Sequence, residues 1–303
     1  MVQSPPLRND PNWLKPDQLA SLQSLELRAR GVVEGFLQGL HRSPFIGYSV
    51  EFSSHRRYGP GDDLRHVNWK LFARQRKLYV KEFDAETNLN LYLFVDASRS
   101  MRCKVDGAMT KYEYAATLAA SLASLAMKQR DAVAIGLMGD GVTSYLDPSA
   151  KPGRWEDCIR MLSRSPDDAV TRLPKALEQA AALARHRGIA VILSDLIDDV
   201  AGIERGLQQL RHRGHEVIVF HLLDPCERRF TSSGRVRVFD LEGGGDVLTD
   251  AEGIRAEYLK RIDGWCGELD EICLRQGVDR LEITTDQPPT AALVDYLVRR
   301  TPS

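Results

Sequence analysis

The 303-residue sequence is poor in cysteine and has no run of apolar residues long enough to cross a bilayer. Its five cysteines are odd in number, are scattered along the chain and include no C-x-x-C pair. This usage argues against a disulfide framework or a zinc site and favours reduced thiols. The N-terminal segment also lacks an apolar signal core. We therefore expect a cytoplasmic protein whose residues 1–16 form an unstructured lead-in.

An excess of charge of either sign is missing as well. The 41 basic residues nearly balance the 42 acidic ones, which argues against nucleic acid or an anionic membrane as a partner. The content of hydrophobic residues, 43%, and of charged residues, 27%, is ordinary for a globular protein. The length allows one large domain or two smaller ones.

Apolar strands alternate with helices throughout residues 88–303. The run 91–95 is apolar without alternation, which is typical of a central parallel strand covered on both faces. The order predicts an α/β domain with a doubly wound, mostly parallel, Rossmann-like sheet. Segment 142–146 should return antiparallel at the sheet edge, and residues 224–250 should form an insertion. Further buried strands are predicted at 131–139, 189–195, 216–223 and 278–284.

Residues 17–87 differ in character and predict a helix followed by a small basic β subdomain. Apolar residues at helical spacing predict one amphipathic helix over 17–41. Strands are expected at 49–58 and 77–83, on either side of a turn rich in glycine and proline. A short helix over 64–72 would be capped by Asp62 or Asp63.

Basic side chains concentrate between residues 56 and 81, with aromatic residues among them. One interpretation is a docking surface for an acidic partner. The other is an internal network in which Arg65 and Arg74 pair with Asp62, Asp63 or Glu51, a common structural device around a tight turn. If the first holds, the candidate partner-binding residues are Arg57, Asp62, Asp63, Arg65, Trp69 and Arg74, together with Arg99 from a later loop.

Three short oxygen-bearing side chains follow the central strand at alternate positions. They are Asp96, Ser98 and Ser100, in the segment Asp96-Ala97-Ser98-Arg99-Ser100. Ligand sites of open α/β sheets lie beyond the carboxyl ends of the strands. The segment therefore predicts a hard divalent cation here. The alternative is a loop whose Asp and Ser side chains only cap the next helix.

A second predicted strand ends in Asp195, and Thr171 lies in a loop expected at the same sheet edge. Thr143 and Ser165 compete with Thr171 as hydroxyl ligands. Mg²⁺ (or Mn²⁺) takes about six oxygens and keeps some waters. The ligands that come from the protein can be the carboxylate and hydroxyl oxygens of Asp96, Ser98, Ser100, Thr171 and Asp195, directly or through water. The charge of the ion would stay under-neutralised, so an open coordination position would attract a carboxylate from a partner.

The order D-x-S-x-S, then a threonine, then a strand-ending aspartate resembles the metal-ion-dependent adhesion site (MIDAS) of von Willebrand factor A domains. One departure is Leu196, where such domains often place a glycine after the aspartate. The wider chain resembles domain-of-unknown-function family 58. That resemblance is carried by Arg57-Tyr58, Gly61-Asp62-Asp63-x-Arg65, Trp69, Ala73-Arg74, Val80-Lys81, Asp224-Pro225 with Glu227, and Thr285-Asp286.

The resemblance implies a von Willebrand factor A-like domain encoded beside a MoxR-type AAA+ ATPase, a class thought to assist complex assembly or metal-cofactor insertion. The expected function is a non-enzymatic adaptor that uses a metal to dock an acidic residue of a partner. One alternative is a metal-dependent hydrolase at the same Asp cluster, although the motif loops offer no histidine and Cys103 has no visible base. Another is a metal-free scaffold that uses the basic segment 56–81.

Overall fold

The structure, a computed structural model, describes residues 13–42, 55–57, 79–81, 89–165, 172–239 and 246–300. The chain divides into two compact units, one of Met1–Leu40 with Leu89–Ser303 and one of His41–Asn88. In the second unit, β1 (His55–Arg57) pairs antiparallel with β2 (Tyr79–Lys81). These strands fall within the two strands predicted for this region.

A six-stranded sheet forms the centre of the larger unit, in the order β10-β7-β6-β3-β4-β5. Its pairings are parallel except between β4 and the edge strand β5. This is a doubly wound order, so the predicted α/β fold is confirmed. Its strands, with the separate ribbon β8–β9, are β3 (Asn90–Asp96), β4 (Ala132–Gly139), β5 (Gly141–Ser149), β6 (Gly188–Ser194), β7 (Glu216–Leu223), β8 (Arg235–Phe239), β9 (Asp246–Asp250) and β10 (Asp279–Thr284).

Helices cover both faces of this sheet. Leu91, Leu93 and Val95 of β3 face one core, whereas Tyr92 and Phe94 face the other. Burial on both sides explains why residues 91–95 of the strand are apolar without alternation. No helix among the described residues is both long and apolar enough to cross a membrane. The helices are α1 (Pro16–Ser21), α2 (Leu25–Arg42), α3 (Lys111–Lys128), α4 (Arg154–Leu162), α5 (Leu173–Leu183), α6 (Val200–His212), α7 (Pro225–Arg229), α8 (Ala251–Gln276) and α9 (Pro289–Arg300).

The N-terminal helix differs from the prediction, because it is divided at residues 22–24 into α1 and α2. Ser24 causes the break: its hydroxyl accepts a hydrogen bond from the N–H of Leu27 at 3.2 Å, as an N-cap does. Trp13 is buried, although it was assigned to the unstructured lead-in. Residues 1–12 of that lead-in lie outside the described residues.

Helix α2 belongs to the α/β unit and not to the small β subdomain with which it was grouped. Ala29, Val32 and Phe36 lie in the same core as the apolar residues of α3. The hydroxyl of Ser121 on α3 donates to the carbonyl of Ala29 at 3.5 Å. The amphipathic pattern predicted a helix correctly, but a pattern does not name the surface that a helix packs on.

Two helix-interior glycines give opposite expectations for substitution by alanine. A Cβ on Gly206 of α6 would lie 2.4 Å from the Cβ of Leu177 on α5, whereas one on Gly264 of α8 would meet nothing within 4 Å. We expect Gly206→Ala to destabilise the fold by about 1–3 kcal/mol through overpacking. Gly264→Ala should stabilise it by about 0.5–1 kcal/mol through helix propensity. Urea unfolding measures both; equal effects of the two substitutions would contradict the close packing of α5 on α6.

Candidate metal site

The two predicted carboxylates meet at one edge of the sheet. Asp96 is the last residue of β3, and Asp195 follows the last residue of the neighbouring strand β6. Both side chains are buried, with 1% of each residue exposed. Parallel neighbours end at the same edge, so the topology alone brings these two residues together.

Hydroxyl groups surround the Asp96 carboxylate. Its Oδ1 accepts the backbone N–H of Ser98 at 2.9 Å, and its Oδ2 accepts the hydroxyl of Ser194 at 2.6 Å. The hydroxyl oxygens of Ser98 and Ser100 lie 3.0 Å apart, and both residues are buried. Ser100 also hydrogen-bonds the Asp195 carboxylate. Asp96, Ser98, Ser100 and Asp195 thus form one continuous oxygen cluster.

The two carboxylates differ in their electrostatic surroundings. Burial raises the pKa of the Asp96 carboxyl to about 6, and repulsion from Asp195 adds to the rise. Burial acts in the same direction on Asp195, but the Lys111 ammonium outweighs it and holds the pKa of that carboxyl below its usual value. Among the described residues no cation therefore offsets the burial of Asp96, and a metal ion beside it would favour its ionised form.

Lys111, the first residue of α3, is fully buried between two carboxylates. Its Nζ lies 2.8 Å from Oδ2 of Asp195 and 2.7 Å from Oε1 of Glu227. The two pairs raise the pKa of the Lys111 ammonium although burial alone would lower it. The cluster therefore contains one built-in positive charge.

Asp224, at the end of β7, fixes the loop that joins the D-x-S-x-S segment to α3. Its two carboxylate oxygens accept the backbone N–H groups of Val105, Asp106 and Gly107 at 3.0, 3.1 and 3.2 Å. They also accept the N–H of Cys226 at 2.9 Å, which caps α7. The family motif Asp224-Pro225-Cys226-Glu227 thereby joins two sides of the site: Asp224 holds the loop, and Glu227 holds Lys111.

Leu196 follows Asp195 at the position where von Willebrand factor A domains often have a glycine. Its φ of 55° lies in the left-handed region, which non-glycine residues adopt at a cost of about 1 kcal/mol or more. The side chain is fully buried in the core formed with α5 and α6. Packing of Leu196 therefore offsets a backbone conformation that glycine would adopt freely.

The other predicted site residues divide into those that the structure describes and those that lie outside the described residues. Arg99 is exposed beside it. Thr171 lies outside the described residues, although the next two amides bond to this edge: Arg172 N–H to the Gly139 carbonyl at 3.2 Å, and Leu173 N–H to Asp198 Oδ2 at 2.7 Å. Thr143, on the edge strand β5, donates its hydroxyl to the carbonyl of Leu137 on β4, and Ser165 is exposed. Arg57 lies on β1 in the second unit, and Asp62, Asp63, Arg65, Trp69 and Arg74 lie outside the described residues.

The oxygen cluster fits a hard divalent cation. Carboxylate and hydroxyl oxygens are ligands that Mg²⁺ and Mn²⁺ accept, whereas softer metals prefer imidazole and thiolate. Asp96 is buried close to a second carboxylate and has no cationic neighbour among the causes of its raised pKa. A metal ion would supply that missing charge.

A different group of potential ligands, His221, Cys266 and Glu282, has ligand atoms within 4.8 Å of one another. Guanidinium groups already hold two of the three. Arg280 contacts Nδ1 of His221, and Nε of Arg228 lies 2.6 Å from Oε1 of Glu282. Burial raises the pKa of the Cys266 thiol to about 11, which opposes the thiolate that a metal requires. This group is therefore a charge network beneath the oxygen cluster.

Four residues of the site were missed or given no role by sequence reasoning: Ser194, Lys111, His221 and Glu227. Glu227 could have been found, since Asp224-Pro225-Cys226-Glu227 has the spacing of a capping box. Ser194 could also have been found, since it is the last residue of β6 and directly precedes the predicted ligand Asp195. His221 lies within an apolar strand, and its Nε2 is 3.0 Å from the Asp195 carbonyl oxygen. For Lys111 and His221 the sequence carries no signal, because each contact depends on which strands are neighbours.

The fold and the site define a class of protein, namely a doubly wound α/β domain with carboxylate and hydroxyl oxygens beyond two neighbouring strands. The family described as "Protein of unknown function DUF58" matches residues 54–263, and the chain belongs to this family. The family predicted from the motifs is thereby confirmed.

The chain is also similar to other proteins of known sequence or structure. Uncharacterized protein Rv1480 of Mycobacterium tuberculosis (strain ATCC 25618 / H37Rv) is 28% identical over 293 residues, covering 94% of this chain and 90% of that protein. BatB from Bacteroides thetaiotaomicron is similar in structure, with a TM-score of 0.46 and 14% identity over 70% of this chain and 98% of that chain. The SpRpn10 VWA domain has a TM-score of 0.39 and 13% identity, over 68% and 93% of the two chains.

Proposed function

We propose that this protein is a binding module that docks an acidic residue of a partner protein through a divalent metal ion, Mg²⁺ or Mn²⁺. The observation that carries the proposal is the buried cluster of two carboxylates and two hydroxyls at one sheet edge, in which no described cation pairs with Asp96. Asp96, Ser98, Ser100 and Asp195 would hold the metal, and Thr171 stays a predicted ligand. The ion would supply positive charge and a coordination position for the carboxylate of the partner.

The exposed surface around the cluster suits a protein partner. Val105 and Ile197, in the loops that follow the two ligand-bearing strands, are 60% and 46% exposed. The side chain of Arg99 is also exposed between the two serines of the motif. Apolar side chains and an arginine around a central charge resemble the composition of protein interfaces. The partner segment should therefore carry a carboxylate flanked by apolar residues.

The surroundings of the cluster favour binding over catalysis. Burial, followed by the charge of Arg280, lowers the pKa of the His221 imidazole to about 4, and Nδ1 of this ring faces the Arg280 guanidinium. Burial raises the pKa of the Cys103 thiol to about 12, so this thiol is a poor nucleophile at neutral pH. Lys111 is held as a cation. None of these three groups suits a general base, so we propose a non-enzymatic role.

The proposed partner is a MoxR-type AAA+ ATPase or its client, in the cytoplasm, and the proposed task is assembly or maturation of a protein complex. The family resemblance motivates this choice. The absence of a membrane-spanning helix among the described residues is compatible with the cytoplasmic location.

A capture experiment with the MoxR-type ATPase of the same genome tests the proposal. ATP and Mg²⁺ are present throughout, because the ATPase itself requires them; the metal site is instead removed by Asp96→Asn. Asp140→Asn, at an exposed turn of the same sheet edge, is the matched control. We expect capture by the wild type and Asp140→Asn, and a loss of about tenfold or more in Asp96→Asn.

Three outcomes would contradict this expectation in different ways. Equal capture by both variants would exclude a metal-dependent contact. Capture that survives Asp96→Asn but is lost when the basic segment 56–81 is neutralised would favour the metal-free scaffold. A metal-dependent phosphatase or peptidase activity that disappears in Asp96→Asn would favour the hydrolase.

A further inference from the structure

The buried ammonium of Lys111 is an unusual feature of a metal site. A lysine at the first position of a helix faces the positive end of the helix dipole, and a buried charge is costly unless it is paired. Lys111 nevertheless has no exposed surface. Its position is stabilised by two carboxylates from separate segments, Asp195 in the loop after β6 and Glu227 in helix α7.

The two carboxylates are arranged alike around Lys111. Asp195 accepts the N–H of Ile197 with Oδ1 and the ammonium with Oδ2. Glu227 accepts the N–H of Asp224 with Oε2 and the ammonium with Oε1. The oxygen of Asp195 that the backbone leaves available is therefore the one that Lys111 occupies. A metal ion that uses this oxygen has to share it with the lysine or replace the lysine.

We infer that Lys111 is a built-in counter-ion that shares Asp195 with the metal. It keeps the site assembled when no metal is bound, and it sets the affinity of the site for the metal. This inference rests on the proposed function. Glu227 makes the exchange feasible, since Lys111 keeps a partly buried carboxylate partner when Asp195 turns to a metal. Asp96, Asp195 and Glu227 with Lys111 have a formal charge of −2, which a divalent cation neutralises.

Two substitutions should change metal affinity in opposite directions. Lys111→Met removes the competing cation, so we expect the dissociation constant of Mn²⁺ to fall by about tenfold or more. Glu227→Gln removes the alternative partner and leaves Lys111 on Asp195, so the constant should rise by about threefold or more. Lys175→Met removes a half-exposed lysine that lies 3.1 Å from Asp140, and it should change nothing. Isothermal titration with Mn²⁺, and then Mg²⁺, measures all three.

Melting temperatures without metal provide a second readout. In EDTA, Lys111→Met should melt below the wild type, because the buried Asp195 and the partly buried Glu227 then lose their shared cation. Added Mn²⁺ should raise its melting temperature more than that of the wild type. Folded Lys111→Met with unchanged or weaker Mn²⁺ affinity would overturn the inference. If that variant fails to fold, unchanged affinity in Glu227→Gln would overturn it.

The titrations also separate this inference from the proposed function. If the wild type binds no metal but Lys111→Met does, Lys111 is the competing cation and the proposed function fails. If the wild type binds metal and neither variant changes the affinity, the proposed function stands and the inference fails. If neither the wild type nor the folded variant binds metal, both are overturned.

Discussion

Asp96→Asn is expected to abolish metal binding while leaving the metal-free protein as stable as the wild type, or more stable. The folded-state pKa of this carboxyl, about 6, lies above its ordinary value of 3.8. Above pH 6 the ionised carboxylate is therefore held less favourably in the folded protein than in the unfolded chain. Removing its charge should raise the free energy of unfolding at pH 7.5, in EDTA, by about 1–2 kcal/mol. A buried charge that costs the fold stability in this way is typical of a binding site.

Thermal melting with and without saturating Mg²⁺ measures both parts of the prediction. The wild type should gain melting temperature from Mg²⁺, and Asp96→Asn should not. Asp140→Asn, which weakens exposed pairs with Arg172 and Lys175, should behave as the wild type. A variant that melts lower in EDTA yet keeps the Mg²⁺ response would show that Asp96 serves the fold and not the metal.

Asp224→Asn should have the largest effect on stability, a loss of about 3–5 kcal/mol. The Asp224 carboxylate is fully buried and accepts four backbone N–H groups. An asparagine has one carbonyl oxygen, and its amide N–H groups would face N–H donors. Because the released loop leads into Lys111, metal affinity should fall as well.

Urea unfolding compares this variant with Asp250→Asn, which affects a single N-cap. Asp250 is exposed and accepts only the N–H of Gly253, at 3.2 Å, among the cap contacts of α8. Its replacement should cost no more than about 1 kcal/mol. Similar losses in the two variants would mean that the four bonds of Asp224 contribute little beyond a simple helix cap.

The sequence predicts the sheet and the convergence of Asp96 with Asp195 for one physical reason. The interiors of β3 and β6 are buried on both faces and are apolar without alternation, and parallel strands end at a common edge. The turn Gly139-Asp140-Gly141 also predicts that β5 returns antiparallel to β4, as it does. These features depend on local patterns, which a single chain displays.

The sequence does not predict what surrounds the two aspartates. Lys111 begins a helix, where a lysine is ordinarily solvated; its contact with Asp195 spans 84 positions and depends on how α3 crosses the sheet. The packing of α2 on α3 is non-local in the same way. Strand β9 was missed because its sequence, DVLTD, is short and bounded by aspartates.

The hydrogen bonds from Asp224 to the loop 105–107 also bear on when the site forms during synthesis of the chain. Ser194 lies 98 positions after Asp96, and Asp224 lies 117 to 119 positions after the loop amides that it holds. During synthesis the D-x-S-x-S segment leaves the ribosome long before the residues that complete and fix the site. Contacts of such high sequence separation form late in folding. A partner that requires the complete site would therefore engage finished molecules and pass over nascent ones.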